Sequence, residues 1–269
     1  MSNVHSEVPP STPTLRDLVE GSHGNVLGVK VAALTMEQAV KGILDWGKSG
    51  VGGYVCFAPV HSIMEAHDHP AVKEALNGAV MVSPDGGPVA SVVASQGHRG
   101  LERLSGPDAM LEVCKEAAHR GVKIGLYGST PETLALLQQN LTASIPGLQI
   151  GYVCSPPFKA LSDEEKDAII DEIAQSGVEV LFVGLGCPKQ ELWMKENAPR
   201  LKPVLLGVGA AFDFHAGKLK RAPDWMRNNN LEWFFRFASE PKRLFGRYAK
   251  HNPRFLWLTF LQRMNLRKF

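Results

Sequence analysis

The sequence predicts an α/β fold: a Rossmann-like open sheet of mostly parallel strands, with helices on both faces. Short apolar segments alternate with helical segments from about residue 26 to about residue 222. The apolar segments are continuous rather than interrupted at every second residue, which is typical of strands buried on both faces of a parallel sheet. The repeated order of strand and helix is that of open α/β proteins.

The elements follow one another along the chain. The segment GVKVAAL predicts a strand, and Thr35 with Gln38 forms a capping box that begins a helix. Ser162 and Glu165 form a second capping box. Further strands are predicted at 53–58, 79–82, 122–128, 148–154, 178–186 and 203–209, and helices at 107–120, 130–142, 162–175 and 187–198.

Composition indicates a globular protein with a substantial core. The chain has 269 residues, of which 44% are hydrophobic and 21% charged. No apolar run approaches the roughly 20 residues that a membrane-spanning helix needs. Residues 1–20 are predicted to be a disordered lead, because Pro, Ser and Thr dominate its first part. Residues 21–222 are predicted to form the Rossmann-like domain that carries the activity, and residues 223–269 a helical appendage broken near Pro241 and Pro253.

The net charge of +2 conceals an asymmetry. Residues 221–269 hold eleven Lys and Arg side chains against three Asp and Glu, a formal charge of +8, and eleven of the 21 aromatic side chains. The rest of the chain has a formal charge of −6.

A basic, aromatic segment on an acidic body indicates an anionic partner: a membrane surface, a phosphorylated substrate or a nucleic acid. Four arginines in this segment are spaced to return to one face of a helix: Arg236, Arg243, Arg247 and Arg254.

Asp85 is a candidate general base. Ligands of open α/β sheets bind beyond the carboxyl ends of the strands, and Asp85 follows the strand at 79–82 between a proline and two glycines. A carboxylate there packs little and can accept a proton from a bound substrate. Helix capping is the alternative interpretation, and Asp213, after the strand at 203–209, is also a candidate with a structural alternative.

Glycine-containing turns after two other strands are candidate phosphate sites, because glycine lets a phosphate approach the backbone and helix N-termini supply N–H donors. We expect Lys189 and Gln190 at the rim of a ligand crevice, although an ordinary tight turn explains the glycines equally well. The residues of these turns and of the helix start that follows are Gly128, Ser129, Gly184, Gly186, Pro188, Lys189 and Gln190.

Other catalytic motifs have little support. The sequence contains no D-x-D, H-E-x-x-H, G-x-x-x-x-G-K-[ST] or G-x-S-x-G motif, which disfavours metal-bridged sugar-nucleotide binding, zinc hydrolysis, P-loop ATP hydrolysis and nucleophile-elbow serine chemistry. His61 and His215 are weaker candidates for acid–base groups. Cys187 is either a nucleophile or, more simply, a small residue packed at a helix start. The four cysteines are far apart, which disfavours a disulfide scaffold or structural zinc and favours the cytoplasm.

Seven segments occur in the order of a known family. They are SPDGGPVA, RLSGPD, LYGSTPETL, GYVCSPPF, VGLGCPKQELWM, GVGAAFDFHAGKLKRAPDWM and LEWFFRFASEPKRLFGRY. Together they resemble the WecG/TagA/CpsF family of bacterial glycosyltransferases over about residues 26–250. The resemblance implies a UDP-sugar donor of the N-acetylmannosamine or glucose type and a polyprenyl-diphosphate-linked sugar acceptor. The product would be a precursor of a cell-surface polysaccharide or exopolysaccharide.

The resemblance also assigns roles to residues. It places the general base at Asp85, the donor motif at Pro188 to Glu191 with Gln190 nearest the donor, and Asp213 near the nucleotide. It implies an inverting transfer with no covalent intermediate. Because the sequence has no D-x-D motif, we expect no metal at the site, and we expect no cofactor. The arginines expected at the acceptor diphosphate or the membrane are Arg221, Arg236, Arg243 and Arg247.

One departure leaves the donor sugar open. Cys56-Phe57-Ala58 stands where members often have Thr-Leu-Asn, so an asparagine expected at the substrate is replaced by alanine. The segments HSIMEA and PDG-x-P resemble the exopolysaccharide members. We expect a cytoplasmic protein, peripheral on the inner face of the cytoplasmic membrane and without a nucleic-acid partner; a homo-oligomer is left open. The alternatives are an NAD-dependent oxidoreductase, on the G-x-G turn, and a nucleic-acid-binding protein, on the basic C-terminal segment.

Overall fold

The computed structural model describes residues 13–98, 100–157, 159–228 and 232–269, without the side chains of Asp224, Asn228 and Arg243. Within this part of the chain the strands are β1 (His23–Val26), β2 (Val29–Ala32), β3 (Tyr54–Ala58), β4 (Met81–Pro84), β5 (Lys123–Gly128), β6 (Gln149–Cys154), β7 (Val180–Gly184) and β8 (Val204–Gly207). Strands β3 to β8 form one sheet in the order β4-β3-β8-β7-β5-β6. Every neighbouring pair in it is parallel, which confirms the predicted Rossmann-like α/β fold.

Helices cover both faces of this sheet. The described helices are α1 (Leu15–Gly21), α2 (Met36–Ser49), α3 (Val60–Asp68), α4 (Pro70–Asn77), α5 (Gly87–Ala94), α6 (Gly106–Arg120), α7 (Pro131–Ser144), α8 (Asp163–Gln175), α9 (Lys189–Asn197), α10 (Ala211–His215), α11 (Asp224–Asn228), α12 (Glu232–Ser239) and α13 (Pro241–Arg263), with a 3-10 turn at Ala198–Arg200. Side chains of β7 show why its sequence is apolar throughout. Phe182 packs into the layer with α2, α6, α7 and α10, and its neighbours Leu181 and Val183 pack into the layer with α3, α4, α9 and α13.

The first predicted strand does not join the main sheet. Strand β2 pairs with β1 in a separate antiparallel hairpin in which Val26 is the partner of Val29. The two residues between them, Leu27 and Gly28, both have positive φ, 53° and 85°, as a type I′ turn requires. A leucine at positive φ is unusual, and this is why the sequence gives no clear indication of the hairpin.

The predicted disordered lead is too long. Residues 1–12 lie outside the described residues, but helix α1 begins at Leu15. Thr14 and Asp17 form a capping box, with Thr14 Oγ1 accepting from the Asp17 N–H and the Asp17 carboxylate accepting from the Thr14 N–H. Leu15 and Val19 are buried against the body. The Pro-rich composition just upstream conceals this short amphipathic signal.

The C-terminal appendage is helical, as predicted, with one break rather than two. Pro241 separates α12 from α13 by beginning the second helix, but α13 continues through Pro253. Pro253 and Ala249, whose carbonyl would otherwise accept from residue 253, are both exposed. Water can replace the lost hydrogen bond there, so the proline is tolerated. The arginines predicted to share one face therefore lie on two helices, Arg236 on α12 and the others on α13.

Gly128→Ala should destabilise the protein more than Gly147→Ala. Both glycines have positive φ, 118° and 85°, so an added Cβ strains the backbone at both positions. At residue 128 the Cβ would lie 2.7 Å from the backbone of Gly184, whereas at residue 147 no described atom lies within 4 Å. We expect an additional loss of about 1–3 kcal/mol in unfolding free energy for Gly128→Ala, measured by urea denaturation. Equal losses in the two variants would show that the β5 and β7 ends are not in close contact.

Candidate active site

A cavity of about 470 Å³ lies beyond the carboxyl ends of β3 and β4. One wall is formed by the segments that follow these strands, and the other by the appendage helices α12 and α13. Open α/β sheets bind ligands in this position. The lining side chains that carry polar or ionisable groups include His61, Asp85, Arg103, Glu232, Arg236, Arg247, Tyr248, His251 and Asn252.

Asp85 lies between β4 and α5 and faces this cavity. Its backbone N–H donates to the carbonyl of Ala58 at the end of β3, at 3.3 Å. Gly86, with φ 101°, turns the chain into α5 and is the N-cap of that helix, which has no side-chain cap. The alternative interpretation of Asp85 as a capping residue is therefore not supported. The carboxylate is directed to the site instead.

The surroundings of Asp85 make it a better base than an ordinary aspartate. Burial raises the pKa of Asp85 to about 6, and the negative charge of Glu232 acts in the same direction. The positive charges of Arg103 and Arg236 oppose the rise. A carboxyl group with this pKa is still largely ionised at neutral pH and holds a transferred proton more strongly than an exposed carboxylate does.

An ion pair connects the body to the appendage at the cavity. Nη2 of Arg103 donates to Oε2 of Glu232, the first residue of α12, at 3.0 Å. Both side chains line the cavity and are mostly shielded from solvent, with exposed fractions of 18% and 14%. This ion pair therefore holds the N-terminal end of α12 beside Asp85. Sequence reasoning did not single out either residue, although Arg103 begins the RLSGPD segment.

Asp108 joins α6 to the segment that follows β8. It accepts hydrogen bonds from Nη1 of Arg221 at 2.7 Å and from Nη1 of Arg227 at 3.2 Å. Burial acts against ionisation, but hydrogen bonds from Arg221 and Ser105, with the charges of both arginines, hold the pKa of Asp108 below its usual value. Nε and Nη2 of Arg221 are buried and have no hydrogen-bond partner among the described residues. Such N–H groups are suited to phosphate oxygens.

The arginines predicted at the acceptor divide into two groups. Arg236 and Arg247 line the cavity, and the Arg236 guanidinium lies 5.5 Å from the centre of the Phe214 ring. Arg221 lies in the Asp108 network rather than in the cavity lining. The side chain of Arg243 lies outside the described residues.

Arg254 does not share the predicted basic surface. Its two terminal nitrogens bind the carboxylate of Asp68 at 2.9 and 2.7 Å. Because α13 is continuous at this point, the residue turns towards α3, and its charge contributes to docking of the appendage.

The predicted donor-binding turns lie at the carboxyl ends of β5, β7 and β8, and they do not line the cavity. Gly128 is the register partner of Gly184, and the Ser129 N–H donates to the Gly184 carbonyl at 3.1 Å. Close packing thus explains these glycines. Lys189 is exposed and Asp213 partly buried. The role of these residues, together with Gly186 and Pro188, towards a donor stays a prediction.

Gln190 is not at the rim of a crevice, contrary to expectation. Its exposed fraction is 4%. Nε2 donates to the carbonyl of Gly207 at 2.9 Å and to Glu191 at 3.0 Å, and Oε1 accepts from the Gly186 N–H at 3.1 Å. Helix α9 begins immediately after the turn, which directs this second residue back over β8. The side chain therefore ties the turn after β7 to the end of β8.

Three other ionisable side chains, which do not line the cavity, are explained by packing. Nε2 of His215 lies 2.8 Å from the carbonyl of Pro107, so this histidine packs α10 against α6. Burial raises the pKa of the Cys187 thiol, which disfavours its interpretation as a nucleophile. Glu191 is the last residue of the predicted donor motif. It is fully buried, and burial raises its pKa. His61 remains at the cavity wall.

The carboxylate of Asp85 lies close to the guanidinium groups of Arg103 and Arg236 in a cavity at the carboxyl end of a parallel sheet, which is where open α/β proteins bind their ligands. The model of the family described as Glycosyl transferase WecG/TagA/CpsF family matches residues 24–269. The chain belongs to this family and is a glycosyltransferase of cell-surface polysaccharide synthesis. The match includes the appendage to its last residue, beyond the segments quoted above. No helix of the described chain has the length and apolar character needed to cross a bilayer.

Gln190→Ala should lower stability, because it removes the partners of the Gly186 N–H and the Gly207 carbonyl. Each buried backbone group left unpaired costs about 1–3 kcal/mol. Lys189→Ala, at the exposed neighbouring position, should change the unfolding free energy by no more than about 0.5 kcal/mol. Both values are measured by chemical denaturation. If Gln190→Ala is as stable as the wild type and only the KM for the nucleotide sugar rises, Gln190 contacts the donor directly.

Proposed function

We propose that this enzyme transfers a sugar, with inversion, from a UDP-sugar to a polyprenyl-diphosphate-linked sugar, with Asp85 as the general base. The observation that carries the proposal is the position of Asp85: it lies in the cavity beyond β4, with a pKa raised to about 6 and with Arg236 and Arg247 in the same lining. Family membership indicates a nucleotide-sugar donor and a lipid-linked acceptor.

The proposed reaction is a single in-line displacement. An acceptor hydroxyl forms the new bond to the anomeric carbon while the bond from that carbon to the phosphate oxygen of UDP breaks. Asp85 takes the hydroxyl proton, and the electron pair of the broken bond leaves with the diphosphate. Positive groups near the departing oxygens stabilise the charge that develops there. A positioned base typically contributes ~10²–10⁴ in rate.

The donor is proposed to lie over the carboxyl ends of β5, β7 and β8, next to the cavity. The exposed Lys189 and the N-terminus of α9 would meet its phosphates, and Asp213 would lie near the nucleotide. Gln190 would act by holding the two turns together. Ala58, at the end of β3, stands where a family asparagine is expected, so the donor sugar is of the N-acetylmannosamine or glucose type without a finer assignment.

The acceptor is proposed to enter from a membrane surface. Of the large apolar side chains exposed in the described part of the chain, only Val51, Leu136 and Leu192 lie outside the appendage. Trp233 and Leu256 line the cavity and are 48% and 64% exposed. The cavity therefore opens onto an apolar surface, where a polyprenyl chain could leave it. Residues 223–269 would act as this membrane-facing unit on the inner face of the cytoplasmic membrane, and residues 21–222 as the catalytic domain.

Asp85→Asn should retain the fold and nucleotide binding but reduce kcat by ~10²–10⁴. The assay supplies a panel of UDP-sugars with short-chain polyprenyl-diphosphate sugars, and the product is identified by mass spectrometry. A variant within a few-fold of wild type would remove Asp85 from the role of base. Thermal protection by NAD, without protection by any UDP-sugar, would favour the oxidoreductase alternative.

The pH profile tests the same assignment independently. Since only the ionised carboxylate accepts a proton, kcat/KM should rise about tenfold per pH unit below the pKa of Asp85, near 6, and then level off. Glu232→Gln removes a negative charge that raises this pKa, so the midpoint of the profile should move to lower pH. A midpoint that does not respond to Glu232→Gln would show that another group controls the profile.

Trp257→Ser and Phe260→Ser should each weaken membrane binding about tenfold. Each removes an exposed aromatic side chain from the appendage surface that is proposed to face the membrane. The control is Val51→Ser, which changes an exposed apolar residue of the body. Binding is measured by flotation with vesicles that contain anionic lipid, at low and high salt. We expect salt to weaken it, since basic side chains contribute. If the wild type ignores these vesicles at low salt, the membrane proposal is wrong.

A further inference from the structure

His61, Glu65 and His251 lie where α3 meets α13. Their polar atoms face one another at distances too long for hydrogen bonds. Nδ1 of His61 and Nε2 of His251 lie 3.8 and 3.9 Å from the same oxygen, Oε1 of Glu65. One ligand-type atom of each residue lies within 4.8 Å of those of the other two. Hydrogen bonds need about 2.7–3.2 Å. Nδ1 of His61 is buried and has no hydrogen-bond partner in the described part of the chain.

We propose that His61, Glu65 and His251 bind a zinc-type divalent transition-metal ion that fastens the appendage to the body. Two imidazoles and a carboxylate are a common ligand set for such ions, with bond lengths of about 2.0–2.2 Å. Two ligand atoms on a tetrahedral ion of this size lie about 3.3 Å apart. The two nitrogen–oxygen separations of 3.8 and 3.9 Å need to close by about half an ångström, and the remaining pair of ligand atoms, which lie within 4.8 Å of each other, by at most about 1.5 Å. Mg²⁺ and Ca²⁺ are disfavoured because they prefer oxygen ligands.

The protonation states suit metal binding. An imidazole must be neutral to bind a metal. Burial lowers the pKa of His61 to about 4, with the charges of Arg247, His251 and Lys250 acting in the same direction. Burial also lowers the pKa of His251. Both shifts are in the direction that favours the neutral imidazole. Nearby Arg247 and Lys250 act against a cation, whereas the carboxylate of Glu65 favours one.

The three ligands come from the two parts of the molecule. His61 and Glu65 are one turn apart on α3, and His251 is on α13, where its exposed fraction is 3%. The two histidine rings also contact each other in a T-shaped arrangement, with centroids 5.1 Å apart. A bound ion would bridge body and appendage beside the cavity, since both histidines line its wall. This role is separate from proton transfer at Asp85, and it does not depend on the identity of the donor or acceptor.

The test uses the full chain, stripped with chelator and dialysed. Co²⁺ is titrated and followed by its visible absorption, and Zn²⁺ is then added in competition. We expect saturable binding of one equivalent and a higher Tm with Zn²⁺. His61→Gln, Glu65→Gln and His251→Gln should each weaken binding at least about tenfold. His119→Gln is the matched control, because His119 faces Glu116 at 3.5 Å on the exposed surface of α6, and it should leave affinity unchanged.

Two outcomes of the metal titration would overturn the proposal. One is the absence of saturable one-equivalent binding by the wild type. The other is binding that persists in His251→Gln but is lost in His69→Gln, since His69 lies 3.5 Å from the other oxygen of Glu65 and the ion would then sit on α3 alone. Limited trypsin digestion gives a further readout. Zn²⁺ should slow cleavage within α13 of the wild type but not of His251→Gln, and equal rates with and without Zn²⁺ in the wild type would exclude a fastening role.

Discussion

The packing of α13 against α3 is the contact on which the site depends. Phe255 and Leu258 of α13 are buried in the same apolar cluster as Ile63 and Met64 of α3, and each such side chain contributes about 1.5–3 kcal/mol. Arg254 and Asp68 add a bidentate ion pair. Because α3 begins at the end of β3, this packing brings the appendage over the carboxyl edge of the sheet. The cavity exists only where these two surfaces meet.

The sheet could be predicted from the sequence, because each parallel strand is a continuous apolar segment and each is followed by a glycine or proline turn. The position of Asp85 followed from the same rule. The hairpin could not be predicted in this way, since Leu27 adopts a conformation that leucine rarely adopts. Helices α3 and α4 were not predicted, although Pro70 at the first position of α4 is a helix-start signal; only His69 separates the two helices.

The site itself was predictable only in part, since its second wall is distant in sequence. Local patterns place Asp85 after a strand, but they cannot show that Glu232 and Arg236 come to lie beside it. They also place Gln190 at a turn without showing that its side chain points inwards. In both cases the deciding facts are tertiary: which element packs over the turn, and which backbone groups remain to be paired there. Of the residues that the family motifs singled out, Asp85, Arg236 and Arg247 lie together in the cavity, and the roles assigned to the whole set stay predictions.

The ion pair of Arg103 with Glu232 has a thermodynamic consequence. Docking of the appendage helps to shield Asp85 from water and brings Glu232 and Arg236 to the cavity. The shielding and the charge of Glu232 raise the pKa of the Asp85 carboxyl group by more than the charge of Arg236 lowers it. Linkage is reciprocal. Protonated Asp85 must therefore favour the docked appendage, and ionised Asp85 must favour its release. In the proposed reaction, in which Asp85 takes a proton from the acceptor, proton uptake and docking of the appendage are therefore two sides of one coupled equilibrium.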